Sequence, residues 1–162
     1  MAFLQMMINT TYFSTFISTG VGFFIGFLLA RKLRRIPKIV IPSKYSDMKL
    51  VIVARTDLGM TKGKIAAQCS HATLACYKKA LKIDSELLRT WENQGQPKVV
   101  LKTESEESLY KLSDSAKDLG VINYIIHDAG RTQIAAGSAT CIGIGPADVK
   151  LVDQVTGHLK LL

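Results

Sequence analysis

The spacing of apolar residues predicts a buried strand followed by a long helix near the middle of the chain. Residues 50–54 form a short, largely β-branched run that ends in turn residues, which is typical of a buried strand. From about Lys64 the apolar positions recur at helical spacing along one stripe: Ile65, Cys69, Ala72, Cys76 and Ala80. Lys64, Gln68 and His71 stand at i, i+4 and i+7, so they share another face of the same helix.

The rest of the chain alternates between strand and helix patterns. Further strands are predicted at residues 98–102, 121–126 and 139–144, and further helices at 84–91, 109–119 and 146–154. This alternation indicates an α/β domain with helices on both faces of the sheet, a three-layer α/β/α sandwich. The connection between the last two strands has no crossover helix, so we expect them to be antiparallel. The prediction is a small, mostly parallel mixed sheet of about four strands.

An uncharged apolar segment precedes this domain. Residues 11–30 are long enough to span a bilayer as one transmembrane helix. Basic residues follow at once, which by the positive-inside rule places the C-terminal part in the cytosol. A cleaved secretory signal would carry its positive charge before the apolar region. We therefore interpret residues 1–35 as a membrane anchor, 36–47 as a proline-containing linker and 48–162 as the folded domain.

Charge is concentrated beside the apolar segment. The 162-residue chain has a formal net charge of +8, and residues 31–44 hold six basic and no acidic side chains. From Met48 onward there are 15 Lys and Arg against 12 Asp and Glu, a net charge of +3. The domain's own charge is thus only weak support for nucleic-acid binding.

The three cysteines predict neither a disulfide framework nor a metal site. Cys69 and Cys76 lie on the apolar helical stripe and Cys141 lies in an apolar strand, so buried free thiols are expected. A zinc site from Cys69, His71 and Cys76 would lack any C-x-x-C pair. We expect no metal and no cofactor.

The loop before the long helix fits neither of two familiar phosphate-binding motifs. A P-loop needs G-x-x-x-x-G-K-[ST], but the spacing from Gly59 to Gly63 is one residue short and Ile65 follows Lys64. The three spaced glycines of a dinucleotide fingerprint are also absent. Two interpretations stay open: a cation at a helix N-terminus that meets an anion, or a turn with solvated lysines.

A second polar loop, residues 127–137, follows the predicted strand at 121–126. It contains Asp128, Arg131 and Thr132, and Ser138 comes directly after it. Ligands of open α/β sheets gather at the carboxyl ends of strands, so both loops are candidate site loops. Alternatively, Asp128 caps a turn, because Asp-x-Gly is ordinary turn chemistry. No serine lies in a G-x-S-x-G elbow, which disfavours a serine hydrolase.

Three separated motifs resemble one known family. TDLGMTKGKIAAQCSHA at 56–72, HDAGRTQIAAGSAT at 127–140 and VTGHLKLL at 155–162 are together similar to the second, archaeal and eukaryotic type of peptidyl-tRNA hydrolase. The resemblance covers residues 48–162, and the N-terminal anchor is similar to that of the animal mitochondrial members. It implies a catalytic domain of four strands that hydrolyses the ester between a peptide and the terminal ribose of tRNA.

The resemblance also implies roles for single residues. Lys64, Asp128, Thr132 and Thr140 match catalytic positions of the family, with Asp128 activating or orienting a water and Lys64 stabilising the oxyanion or pairing with Asp128. The threonines would hold water or the substrate carbonyl. Substrate contacts are expected from the following residues: Arg55, Lys62, Gln68, His71, Arg131 and Ser138. The family often reads P-G-T where this chain has Ala136-Gly137-Ser138, so altered loop geometry is expected.

Two functions follow as hypotheses. The first is a peptidyl-tRNA hydrolase that recycles tRNA, anchored in the mitochondrial outer membrane with its catalytic domain facing the cytosol. The second is a membrane-tethered adaptor with signalling protein partners in cell death, alongside or in place of hydrolysis. The presence of Lys64, Asp128 and Thr132 favours the enzyme, because an adaptor does not need that set.

Overall fold

The computed structural model describes residues 20–28, 45–130 and 134–162, and the chain divides into two compact units, Met1–Pro42 and Ser43–Leu162. In the first unit residues 20–28 are helical, and Phe23 and Phe24 are largely exposed. Most of the predicted span at 11–30, its basic flank and residues 36–44 of the predicted linker lie outside the described residues. Among those described, no helix combines the length and the apolar character needed to cross a membrane.

The folded unit includes residues that the sequence assigned to the linker. The Tyr45 hydroxyl donates to the carboxylate of Asp84, and the carbonyl of Asp47 accepts a hydrogen bond from the Val149 N–H at 2.8 Å. Residues 45–47 are therefore tied to the domain before its first strand begins.

Strands and helices alternate through this unit, as the apolar pattern predicts. In chain order they are β1 (Met48–Arg55), α1 (Lys62–Ile83), α2 (Ser85–Asn93), β2 (Lys98–Thr103), α3 (Glu106–Asp118), β3 (Asn123–His127), β4 (Ala139–Asp148), α4 (Val149–Thr156) and β5 (Lys160–Leu161). Strand β4 runs four residues further than expected, because it stays paired with β1 as far as Met48↔Asp148. The Asp148 side chain then accepts from the Lys150 N–H at 2.9 Å and starts α4 there rather than at Pro146.

The sheet is mixed, but less parallel than predicted. Its strand order is β3-β4-β1-β2-β5, and only the β1–β2 pair is parallel. The predicted antiparallel step between the last two long strands is confirmed by the β3–β4 pair. The predicted count of about four strands is wrong, since β5 adds a fifth; its two residues are exposed and too few to show a period.

Helices cover both faces of the sheet, which confirms the α/β prediction. Leu50 and Ile52 of β1 point to the layer of α1 and α2, while Val51 and Val53 point to the layer of α3 and α4. Helix α1 lies close to β4: a Cβ on Gly143 would come within 2.6 Å of the Cys76 Sγ. This close packing fixes the position of the polar face of α1 beside the ends of the strands.

Candidate functional site

The C-terminal ends of β1 and β3 lie at the same end of the sheet, with β4 between the two strands. Both strands are antiparallel to β4, so they point the same way and their following loops are neighbours. Lys64 lies just after the first of these loops, and Asp128 lies in the second. The Lys64 Nζ bonds the Asp128 Oδ2, although 64 positions separate the two residues in sequence. The two candidate loops therefore lie at the same end of the sheet, and their side chains are in contact.

Lys64 sits in the first turn of α1. The helix begins at Lys62, and the Thr61 side chain caps it by accepting from the Lys64 N–H at 3.4 Å. The first turn of α1 contains no acidic residue. A cation near the positive end of a helix dipole is unfavourable, so the carboxylate of Asp128 compensates Lys64 from outside the helix.

The two carboxylate oxygens of Asp128 have different partners. Oδ1 accepts the Gly130 N–H at 2.8 Å, which is the turn role left open by the sequence. Oδ2 accepts from Lys64 and, at 2.7 Å, from the Gln68 Nε2. Gly130 has φ +73°, and a Cβ there would lie 2.6 Å from the Cβ of Ala136, so the tight turn requires glycine. Asp128 thus shapes the loop with one oxygen and forms the polar pair with the other.

A buried chain of hydrogen bonds holds Gln68 in place. The Thr140 Oγ1 lies 2.9 Å from the Gln68 Oε1 and 3.2 Å from the Ile126 carbonyl oxygen. Since the Gln68 Oε1 accepts from Thr140, its Nε2 is left to donate to Asp128. Thr140 is fully buried and Gln68 nearly so. The i, i+4 spacing of Lys64 and Gln68 predicted that they share one face of a helix, but no pattern in the sequence linked Thr140 to Gln68.

The electrostatics of the pair favour an ionised carboxylate. The hydrogen bond from Lys64 lowers the pKa of Asp128 below its usual value, the Gly130 N–H and the Gln68 amide act in the same direction, and burial opposes them. The Asp128 side chain is only 4% exposed and that of Lys64 13% exposed. The site therefore presents a fixed anion beside a cation at neutral pH.

The pair lies at one end of a groove between α1 and β3. The groove encloses about 920 Å³, and Lys64, Gln68 and Asp128 form its reactive end. Exposed His71 and Leu74 line it along α1, and Tyr124 and Ile126 line it along β3. A substrate that lies in this groove can place a reacting bond beside Asp128.

Arg55, which is predicted as a substrate contact, makes its described contacts within the protein. Its guanidinium donates to both carboxylate oxygens of Asp57, at 3.1 and 2.7 Å, and to Glu106 at 2.8 Å. It also donates to the Ala139 carbonyl at 2.8 Å. With 8% exposure and these partners, Arg55 joins the loops to α3 and β4. Asp57 is only two residues from Arg55, but Glu106 and Ala139 lie in distant segments, so no local pattern in the sequence showed the whole set of contacts.

The other predicted substrate-binding residues lie in different settings. Lys62 is exposed at the start of α1, and His71 is exposed in the groove. Ser138 accepts the Asp128 N–H at 2.9 Å through its backbone carbonyl. Arg131 and Thr132 lie outside the described residues.

Two of the three cysteines lie in the interior of the domain. Cys76 and Cys141 are buried free thiols, and burial raises the pKa of each to about 12, which keeps them protonated. Cys69 is also free and half-buried. Within residues 20–28, 45–130 and 134–162, no group of three His, Cys, Asp or Glu side chains is placed to hold a metal ion.

Comparison with known proteins gives consistent matches over the folded unit. Residues 48–162 match the family model described as peptidyl-tRNA hydrolase PTH2. The chain is 60% identical over 113 residues to "Probable peptidyl-tRNA hydrolase 2" of Schizosaccharomyces pombe, covering 70% of this chain and 55% of that protein. It is 54% identical over 115 residues to "Peptidyl-tRNA hydrolase 2, mitochondrial" of Homo sapiens, covering 71% and 64%.

An archaeal relative matches over its whole length. The "Peptidyl-tRNA hydrolase" of Methanothermobacter thermautotrophicus is 45% identical over 115 residues, which cover 71% of this chain and 100% of that protein. By contrast, the match spans little more than half of the S. pombe relative. The names of these relatives describe hydrolases, so the adaptor hypothesis gains no support from them.

Proposed function

The chain belongs to the peptidyl-tRNA hydrolase family PTH2, and from that premise we propose that it hydrolyses the ester bond of peptidyl-tRNA, releasing the peptide and returning tRNA to translation. The observation that carries this proposal is the contact of Lys64 and Gln68 with Asp128 at the end of an open groove. Buried ion pairs that only stabilise a fold have no need of a groove beside them.

In the proposed reaction Asp128 orients and activates the attacking water. The ionised carboxylate orients a water molecule, accepts one of its protons, and the water oxygen forms a bond to the ester carbonyl carbon. The bond to the ribose oxygen then breaks, and that oxygen takes up the proton held by Asp128. The products are a peptide with a free carboxyl group and a tRNA with a free terminal hydroxyl.

Lys64 stabilises the charge that develops on the carbonyl oxygen. Its ammonium is already held at the reactive end of the groove, so little reorganisation is needed when the oxyanion forms. Gln68 keeps the carboxylate in position, and Thr140 orients Gln68 from the interior. In this scheme Thr140 is a positioning residue. Thr132 remains a proposed contact of the water or substrate carbonyl, implied by its motif.

The tRNA part of the substrate is proposed to lie over the exposed basic residues near α1. Lys62 and His71 are exposed at the helix start and in the groove. Arg131 joins them as a proposal from its motif. Phosphate contacts of this kind position a nucleic acid without reading its sequence.

The test is hydrolysis of peptidyl-tRNA by the full chain and by Asp128→Asn. This substitution keeps the size of the side chain but removes its ability to accept a proton, so the rate should fall by roughly a hundredfold or more. Asp118→Asn, at the exposed end of α3, is the matched control and should keep the parent rate. Equal rates for the parent and Asp128→Asn, with the fold intact, would refute the assignment of Asp128.

The N-terminal segment is proposed to tether this activity to a membrane. Its support is the uncharged run at 11–30 and the basic residues that follow. Relatives named mitochondrial favour that organelle, and we propose its outer membrane with the domain facing the cytosol. Removal of residues 1–42 should release the protein from mitochondrial membranes into the soluble fraction with its hydrolysis rate retained. Continued sedimentation with membranes would contradict the tether.

A further inference from the structure

The groove continues from the Lys64–Asp128 pair along an edge of the sheet. Strand β3 is the outermost strand on that side of the described sheet, and it leads directly into Asp128. Of the residues lining the groove, four come from this strand: Tyr124, Ile125, Ile126 and His127. An edge strand carries backbone groups that no neighbouring strand pairs with, so it can accept another strand.

The backbone direction of β3 follows from its ladder with β4. The Gly145 N–H donates to the Ile122 carbonyl at 2.6 Å, and this pair continues the register Asn123↔Ile144. Because backbone groups alternate in an antiparallel ladder, those of Tyr124 and Ile126 also face β4, while those of Ile125 face outward. The Lys79 Nζ bonds the Asn123 carbonyl at 3.1 Å, which agrees with this alternation. The N–H and C=O of Ile125 are thus directed to the groove side.

Apolar side chains flank that position. Leu74 on α1 and Tyr124 on β3 are each 50% exposed, and Ile126 lies between them and the reactive end. A volume of about 920 Å³ is at the upper end of pockets that enclose a drug-sized ligand. The groove therefore offers a main-chain donor and acceptor between apolar walls, which is what an extended peptide needs.

We propose that the peptide part of peptidyl-tRNA binds here as an added strand beside β3. This inference rests on the proposed function. The ester is at the C-terminus of the peptide and must reach Asp128, which follows the C-terminal end of β3, so the peptide runs parallel to β3. Nascent peptides differ in sequence but share their backbone. Main-chain hydrogen bonds to an edge strand therefore bind all of them, with side chains contributing little selectivity.

The competing occupant of the groove is the RNA itself. Lys78 and Lys82 line the end of the groove that lies far from Asp128, and their charge would suit phosphates. Between that end and the polar residues around Asp128, however, the walls are the β3 edge and the apolar side chains of Leu74, Tyr124 and Ile126, which suit a peptide better than phosphates. The two occupants predict different responses to changes in the peptide backbone.

The first experiment alters only the substrate. A peptidyl-tRNA with an amide in place of the ester is bound to the full chain, and single N-methyl groups are placed on each of the first four peptide amides from the tRNA end. Ile125 lies three residues from Asp128, about 10 Å in a strand, which this scan covers. Positions whose N–H faces β3 alternate with positions whose N–H points away. The position opposite the Ile125 carbonyl should weaken the Kd roughly three- to tenfold when methylated, the loss of one hydrogen bond, and its two neighbours should have little effect.

The second experiment alters the edge strand. Ile125→Pro removes the outward N–H, and proline is tolerated on edge strands where the N–H does not pair. This variant should weaken the Kd of the unmethylated analogue by a similar factor, because a peptide carbonyl loses its donor. The effect of N-methylation should persist, because proline keeps the carbonyl at position 125. Ile125→Val keeps the N–H and is the matched control, which should retain the alternating pattern. If Ile125→Pro fails to fold, the substrate scan on the parent chain still decides.

The outcomes separate this inference from the function on which it rests. A Kd that does not change across the scan, in a protein that hydrolyses peptidyl-tRNA, overturns the added strand and leaves the function standing. If Lys78→Ala and Lys82→Ala then weaken binding of deacylated tRNA, the groove binds RNA. Absence of ester hydrolysis by the parent chain refutes the proposed function, whatever the scan shows.

Discussion

Two basic residues near the end of β1, Arg55 and Lys64, show how similar charges take different roles at one edge of a sheet. Arg55 is nearly buried and donates to Asp57, Glu106 and a backbone carbonyl. Lys64 bonds a single described carboxylate, that of Asp128, and both line an open groove. The two ion pairs differ in their surroundings rather than in their charges.

The difference teaches that open space beside a polarised pair distinguishes a candidate site from a structural clamp. The partners of Arg55 come from the loop after β1, from α3 and from β4, so its contacts join three parts of the fold. In Asp128, one carboxylate oxygen accepts a hydrogen bond within the turn, and the other accepts from Lys64 and Gln68. Both ion pairs have defined partners, but only the second lines the described groove.

The same substitution at both positions sharpens this comparison, and the largest effect is expected at Lys64. Lys64→Met keeps the apolar stem and removes the charge, so loss of oxyanion stabilisation should lower kcat roughly a hundredfold. The melting temperature should fall as well, because the nearly buried carboxylate of Asp128 loses its cation, so the rate is measured per folded molecule. In the double variant with Asp128→Asn, the rate should be little worse than in the worse single variant, since the two act as one unit. Multiplicative losses would contradict that unit.

Arg55→Met should lower the stability of the fold but leave the hydrolysis rate per folded molecule nearly unchanged. It leaves Asp57 and Glu106 without their cation and the Ala139 carbonyl without its donor. Both carboxylates are partly exposed, which screens the loss, so we expect the free energy of unfolding to fall by about 2 kcal/mol. Denaturant titration measures this change. The rate per folded molecule should stay within about threefold of the parent. A hundredfold loss would show that Arg55 takes part in substrate binding or catalysis.

The sequence predicted those parts of this arrangement that depend on local patterns. The apolar run of β1, the stripe on α1 and the i, i+4 spacing of Lys64 and Gln68 are local, and each is observed. The bonds of Arg55 to Glu106 and Ala139 and the Thr140–Gln68 hydrogen bond join segments 51 to 84 positions apart, where no periodicity exists to reveal them. β5 has two exposed residues and therefore no apolar pattern. It is defined by its pairing with β2, which lies about 60 positions earlier in the chain.

The pH dependence of hydrolysis gives the next test of the comparison. The Lys64 ammonium holds the pKa of Asp128 below its usual value of about 3.9. The carboxylate therefore stays ionised until the pH falls through this lowered pKa, and kcat/KM should decline only there. In Lys64→Met the largest cause of the lowering is gone, so the acidic limb should move to higher pH. An unmoved limb would assign it to another group.

The same shift has a stability counterpart with a defined sign. A carboxyl whose pKa is lower in the folded than in the unfolded state stabilises the fold above the unfolded pKa, and this contribution is lost as pH falls through the folded pKa. Lys64→Met should therefore reduce the acid-dependent part of the unfolding free energy. In Arg55→Met the corresponding loss involves Asp57, whose pKa is lowered first of all by its hydrogen bond from Arg55. Acid titrations of both variants compare the two pairs directly.

The smallest expected effect concerns Thr140, which acts on Asp128 only through Gln68. Thr140→Val keeps the shape but removes the hydroxyl, which leaves the buried Gln68 Oε1 without its donor. The Gln68 amide is then less firmly held in the orientation that directs its Nε2 to Asp128. We expect kcat to fall roughly three- to tenfold, which corresponds to the loss of one buried hydrogen bond. Thr140→Ser restores the hydroxyl and should recover most of the rate, although it removes a buried methyl group. A purely structural Thr140 would give the reverse order, with Ser less stable than Val and both variants at the parent kcat. Because the position of the Gln68 amide also helps to lower the pKa of Asp128, Thr140→Val should move the acidic limb in the same direction as Lys64→Met, by a smaller amount.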